Sequence, residues 1–97
     1  MSEFIDHTLV GPSGGDVGTI TDVIANPVDL RPEWLVVRVG RLGGEHPVPM
    51  EAIEARDGQL VATVARAQVK SAPRVHQHVE PVATERDALY RHYGLAS

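Results

Sequence analysis

Residues 33–42, EWLVVRVGRL, carry the densest apolar run in the chain. Simple alternation puts Leu35, Val37 and Val39 on one face and Trp34, Val36 and Arg38 on the other. A strand that is apolar on both sides, except at Arg38, belongs in the middle of a sheet or under cover on both faces. Residues 17–25, VGTITDVIA, behave differently. Val17, Ile20 and Val23 recur every third residue. That spacing fits neither alternation nor a long helix, and a strand with a β-bulge near Gly18 accounts for it. Residues 5–10, IDHTLV, form a third short strand, closed by the turn GPSGGD.

The turn signals are equally regular. NPVDLRP holds two prolines between the second and third strands. EHPVPM follows Gly43-Gly44. Pro47 and Pro49 have no backbone donor, so this segment reads as an edge strand, able to pair on one side only. MEAI reverses the chain. IEAR and QLVATV flank Asp57-Gly58, a two-residue hairpin turn in which both central positions need positive φ. RAQVKSA is a short helical turn stopped by Pro73, and RVHQHVEPVA is extended and polar. Thr84 is expected to cap a last helix, with Asp87 reaching back, Leu89 and Tyr93 on one face, and Gly94 as the stop. Strands separated by turns, without a βαβ order, predict an all-β fold: a small barrel or sandwich of five to six short strands with a short C-terminal helix.

Neither glycine pair makes a phosphate loop. Such a loop needs a strand, a Gly-rich turn and a helix whose first amides face the anion. Gly43-Gly44 leads into Glu45-His46-Pro47, and Gly14-Gly15 into strand-like VGTIT. Both read as turns.

Composition narrows the function classes. The chain has 97 residues, one domain's worth, and a 42% apolar share that supports a real core. The formal charge of −4 argues against a nucleic-acid partner, which would favour a basic face. With no cysteine, thiolate chemistry, disulfides and Cys-based metal sites are excluded. The first residues lack the pattern of a signal peptide, and no apolar window is long enough for a membrane helix. A cytoplasmic, soluble protein is the expectation.

At this point the order of the segments carries a resemblance. GDVGTITDVIANP, RPEWLVVRVG, a Gly-rich turn, PVPMEAIEARDGQLV and RAQVKSAPRV together resemble a PRC-barrel domain, over roughly residues 4 to 75. ALYRHYGL is similar to tails seen on stand-alone bacterial members. The family takes its name from the photosynthetic reaction-centre H subunit and includes the C-terminal domain of the ribosome maturation factor RimM. The resemblance implies a strongly bent β-barrel over residues 1–75, with residues 76–97 forming an extended segment and a helix on the same domain. It also implies a protein-interaction module with no catalytic residue and no cofactor. A role in RNA or ribosome maturation is the alternative that the RimM likeness suggests. The membrane helix of the H subunit and the N-terminal domain of RimM have no counterpart in the sequence, so neither specific role transfers.

The candidate residues follow. Trp34, Val36 and Arg38 share a strand face and are the expected interaction surface, with a homodimer as the expected assembly. His76 and His78 point the same way in a strand, with Glu80 as a third ligand, and define the second alternative, a metal- or small-molecule-binding stress protein. No catalytic triad is legible. His7 with Asp6 and His46 with Glu45 lack a serine in an elbow context, since Ser13 sits in GPSGG.

Overall fold

A computed structural model of the chain describes residues 4–40, 44–73 and 81–95. Six strands form one mixed sheet: β1 (Thr8–Val10), β2 (Asp16–Ala25), β3 (Pro32–Arg38), β4 (Glu45–Pro49), β5 (Ile53–Arg56) and β6 (Gln59–Ala62). A 3-10 turn (Met50–Ala52) joins β4 to β5. Two helices follow, α1 (Arg66–Lys70) and α2 (Ala83–His92). The spatial order of the strands is β4-β3-β2-β1-β6-β5. All neighbours are antiparallel except β1 and β6, which run parallel with Leu9 beside Leu60.

This order has a geometric consequence. The two edge strands, β4 and β5, are consecutive in the chain and only a three-residue turn apart. In a flat sheet, five strand spacings would separate the edges by roughly 24 Å. The chain from Pro49 to Ile53 reaches at most roughly 14 Å. The sheet must therefore curl, and the near-equal extents of 31 × 27 × 26 Å reflect that.

The curl stops short of the closed barrel expected from sequence. β4 and β5 are the ends of the sheet and share no ladder. The prolines supply the reason. Pro47 faces Val36 and Pro49 faces Trp34. Lacking N–H groups, they occupy the positions of the ladder whose nitrogens point away from β3. The outer side of β4 is thus short of donors, and the Tyr93 hydroxyl donates to the Pro47 carbonyl at 2.8 Å.

Bulges let the long strand β2 follow the bend. Val17 is unpaired between the partners of Leu9 and Val10, immediately beside Gly18, where the spacing of apolar residues predicts a bulge. A second irregularity leaves Thr21 unpaired between Ile20 and Asp22. Its hydroxyl donates to the Glu45 carboxylate at 2.6 Å. Together they explain why the buried residues of β2 are Val17, Ile20 and Ile24. Each bulge turns the following residues to the other face.

β3 lies inside the sheet, and both its faces are covered. Trp34, Leu35, Val36 and Val37 are all buried. Burial of each such side chain is worth about 1.5–3 kcal/mol. Leu9, Ile20, Val48, Ala62 and Val69 join the same core. The β5–β6 hairpin turns at Asp57 (φ 49°) and Gly58 (φ 79°), as the Asp-Gly signal requires.

The last helix starts earlier than its sequence signal suggests. Val82, not Thr84, is the N-cap, and Glu85, not Asp87, reaches back to accept from the Val82 amide at 3.2 Å. The carboxylate three positions into the helix fills the role of the reciprocal cap.

Gly18 is the tightest point of the bend. A Cβ there would lie 2.4 Å from the Arg38 carbonyl oxygen and 2.7 Å from Val37 Cγ1. Gly18→Ala is expected to cost about 1–3 kcal/mol, since backbone rather than a flexible side chain must move. Urea denaturation of the variant measures it, and an unchanged midpoint would contradict this packing.

Candidate functional site

The three residues expected to form a contact surface do not share an exposed face. Trp34 and Val36 are buried, and only Arg38 is exposed. The cause is α2, which covers that side of β3. The Tyr90 ring meets Trp34 edge-on, with centroids 5.8 Å apart and planes at 62°. Tyr90 also donates its hydroxyl to the Glu51 carboxylate on the 3-10 turn. Trp34 is therefore an anchor for the chain's own helix.

A second set of contacts fastens the same helix. The His92 Nε2–H donates to the Gln68 carbonyl at 2.7 Å, and the Gln68 side-chain amide donates to the His92 carbonyl at 3.0 Å. Ser71 lies 3.2 Å from the same His92 nitrogen and donates its own hydroxyl to the Gln68 carbonyl. A nitrogen that carries a proton toward a carbonyl cannot take one from Ser71, so the pair is a clamp and not an activated nucleophile. His46 is buried and its Nδ1–H donates to the Ala72 carbonyl at 2.8 Å. That bond ties β4 to the end of α1. His7, Asp6 and Ser13 are exposed. His76, His78 and Glu80 lie outside the described residues. Among the described residues, no group of three or more His, Asp or Glu is placed to hold a metal ion.

With Trp34 inside, apolar surface is exposed elsewhere. Val28 is 91% exposed and Leu30 68% exposed, both on the loop between β2 and β3. The loop is held by its own hydrogen bonds. The Asn26 amide donates to the Arg31 carbonyl at 2.8 Å, and the Leu30 amide to the Asn26 carbonyl at 2.9 Å. The Asn26 side-chain oxygen accepts from Val28 at 2.7 Å, and that of Asp29 from Arg31 at 3.1 Å. The Asn26 side-chain amide reaches Glu33 at 2.5 Å, tying the loop to β3. Leu30 has φ 61°, in the left-handed region, which costs a residue with a side chain about 1–2 kcal/mol. An apolar side chain is thus held in solvent at a backbone cost, on a loop braced at both ends. Strained positions of this kind cluster at active sites and ligand clamps. The sequence does carry a signal for this tip: Val28 and Leu30 are apolar residues between Pro27 and Pro32, in a turn with no face to bury them.

Arg38 has a different neighbourhood. It borders a polar cleft of about 240 Å³ with Thr8, Asp16, Gly18, Thr19, Gly40 and Arg66. Among the described residues, no helix is long and apolar enough to cross a membrane. Comparison with family models and with curated proteins finds no match for the chain.

The tyrosine clamp sets a pH dependence. Burial, with the Glu51 carboxylate accepting its proton, pushes Tyr90 up to about 12 from an ordinary 10.0. Burial alone pushes Tyr93 up as well. Both are neutral in the fold where the unfolded chain would ionise. The native state then holds more protons, so stability is full below pH 10 and falls as pH rises towards about 12. These are the chain's two tyrosines. Phenolate absorbance should rise near pH 10 in urea and well above it in the native protein. Coincident curves would contradict the placement of both rings.

Proposed function

We propose that the chain is a non-catalytic protein-interaction module of PRC-barrel type, homodimeric, whose contact is the Val28–Leu30 tip. The observation that carries this reading is the braced loop that keeps two large apolar side chains in water, one of them at positive φ. Apolar side chains at a pre-ordered protrusion lose little freedom on binding, which favours association over collapse onto the chain itself. The family likeness rests on the residue order given above. A six-stranded sheet curled by the short β4–β5 link, with a helix laid over β3, is consistent with it.

Self-complementary chemistry supports a second copy as partner. β5 is the far edge of the sheet, and Glu54 to Arg56 are exposed along it. Glu54 and Arg56 form an ion pair within the chain at 2.6 Å, and antiparallel pairing of two such edges about Ala55 would set Glu54 of each chain opposite Arg56 of the other as well. A two-fold interface needs this kind of complementarity. The tip remains the anchor, because solvated ion pairs contribute little on their own.

Leu30→Gly separates binding from folding. Glycine relieves the left-handed strain but adds roughly 0.5–1 kcal/mol of chain entropy cost. The two offset, so unfolding free energy should change by less than about 1 kcal/mol. Sedimentation velocity should show a dimer for the parent chain and a monomer-shifted equilibrium for the variant. A monomeric parent would overturn the homodimer, and a variant that dimerises like the parent would overturn the tip as its contact.

A further inference from the structure

The cleft beside Arg38 has the chemistry of an anion site, independently of the interaction surface. It is built where three strands line up: Thr8 of β1 pairs with Thr19 of β2, and Thr19 with Arg38 of β3. Residues paired across neighbouring strands project from the same face, so two hydroxyls and a guanidinium stand in one row. Arg66, the first residue of α1, brings a second guanidinium to the same place. Its Nη2 lies only 3.5 Å from where a Cβ on Gly40 would be. Gly40 itself has φ 76°, so the chain can turn there and leave the floor bare. Gly18, with no side chain, completes that floor.

Like charges normally avoid such proximity or find an acid between them. Among the described residues, neither Arg38 nor Arg66 has a carboxylate within ion-pair distance, and the Thr8 and Thr19 hydroxyls have no side-chain hydrogen bond. All four are exposed or half-buried, with donors available to a ligand. The one acid in the lining is Asp16. Glu45 of β4 pairs with Arg38 across the strands, but its carboxylate accepts from the Thr21 hydroxyl and it does not line the cleft. The lining itself is therefore net positive in a chain whose formal charge is −4.

We propose that this cleft binds inorganic phosphate in its protonated form, hydrogen phosphate. Two guanidinium forks match tetrahedral oxyanions, with several donors each. The threonine hydroxyls add neutral donors. Asp16 is an acceptor only, so it favours an oxyanion that still carries an O–H to donate. Sulfate has no such proton at neutral pH. At about 240 Å³ the cleft is smaller than the usual drug-sized pocket, so it suits a small free ion.

The test is a titration of the full chain with inorganic phosphate, at constant ionic strength, read by amide NMR shifts. Saturable shifts should appear at Gly18, Thr19 and Gly40. Sulfate, as the second arm, should bind at least about tenfold more weakly, and Asp16→Asn should shrink that gap. Arg38→Gln and Arg66→Gln should each weaken phosphate at least about tenfold while leaving the remaining spectrum in place. Both side chains are exposed, so neither change removes core packing. Linear shifts that chloride reproduces, or unchanged binding in both arginine variants, would overturn the site. Equal affinity for sulfate and phosphate would overturn the selectivity assigned to Asp16. Glycerol phosphate, a monoester mostly without that proton at neutral pH, should bind more weakly than free phosphate, and tighter binding would overturn the role of Asp16.

Discussion

Three residues, Met50 to Ala52, constrain most of this structure. They connect the two outermost strands of a six-stranded sheet. A link so short leaves the sheet no flat solution, and much of the rest answers that demand. β2 takes it up with unpaired residues at Val17 and Thr21. Gly18 lets β2 approach β3 more closely than any side chain would permit. The prolines of β4 then keep the seam from zipping shut, because Pro47 and Pro49 on its outer side have no proton to give.

Curling a small sheet concentrates burial on its middle strand. β3 is covered on one side by the sheet's own concavity and on the other by α2. The helix is fixed by contacts of different kinds: Tyr90 against Trp34, the Tyr93 hydroxyl on the Pro47 carbonyl, and the reciprocal bonds between Gln68 and His92. The hydrogen bonds among them satisfy carbonyls of the open seam and of the helix ends. The scarce aromatic residues are spent on this closure. What remains for function is at the periphery: the loop that carries Val28 and Leu30, and the cleft where β1, β2 and β3 meet Arg66.

Local features were the ones legible in the sequence. The Asp57-Gly58 turn, the proline-edged strand at 45–49 and the bulge beside Gly18 each follow from one or two residues with a single good conformation. Features set by tertiary contact were not. Alternation puts Trp34 on the same face as Arg38, but only the position of α2 decides that one is buried and the other exposed. The helix starts earlier because Glu85 reaches back to the Val82 amide and places the first turn, whereas Thr84 alone suggests a later start. Barrel closure also depends on a long-range pairing that no local signal encodes. The polar cleft draws on residues spread from 8 to 66, so no spacing announces it. The exposed tip was visible as a pattern, two apolar residues inside a turn, but a turn normally invites no such reading.

The proposed contact requires the β2–β3 loop to be a rigid platform and not a floppy connection with stray apolar side chains. Backbone ¹⁵N relaxation across Asn26 to Arg31 tests this most directly. If the hydrogen bonds around Asn26 hold the loop, order parameters for Val28, Asp29 and Leu30 should match those of the flanking strands, near about 0.85. Values below about 0.6 would mean that the loop samples many conformations. The strain at Leu30 would then not be stored, and the tip would lose its standing as a pre-formed contact.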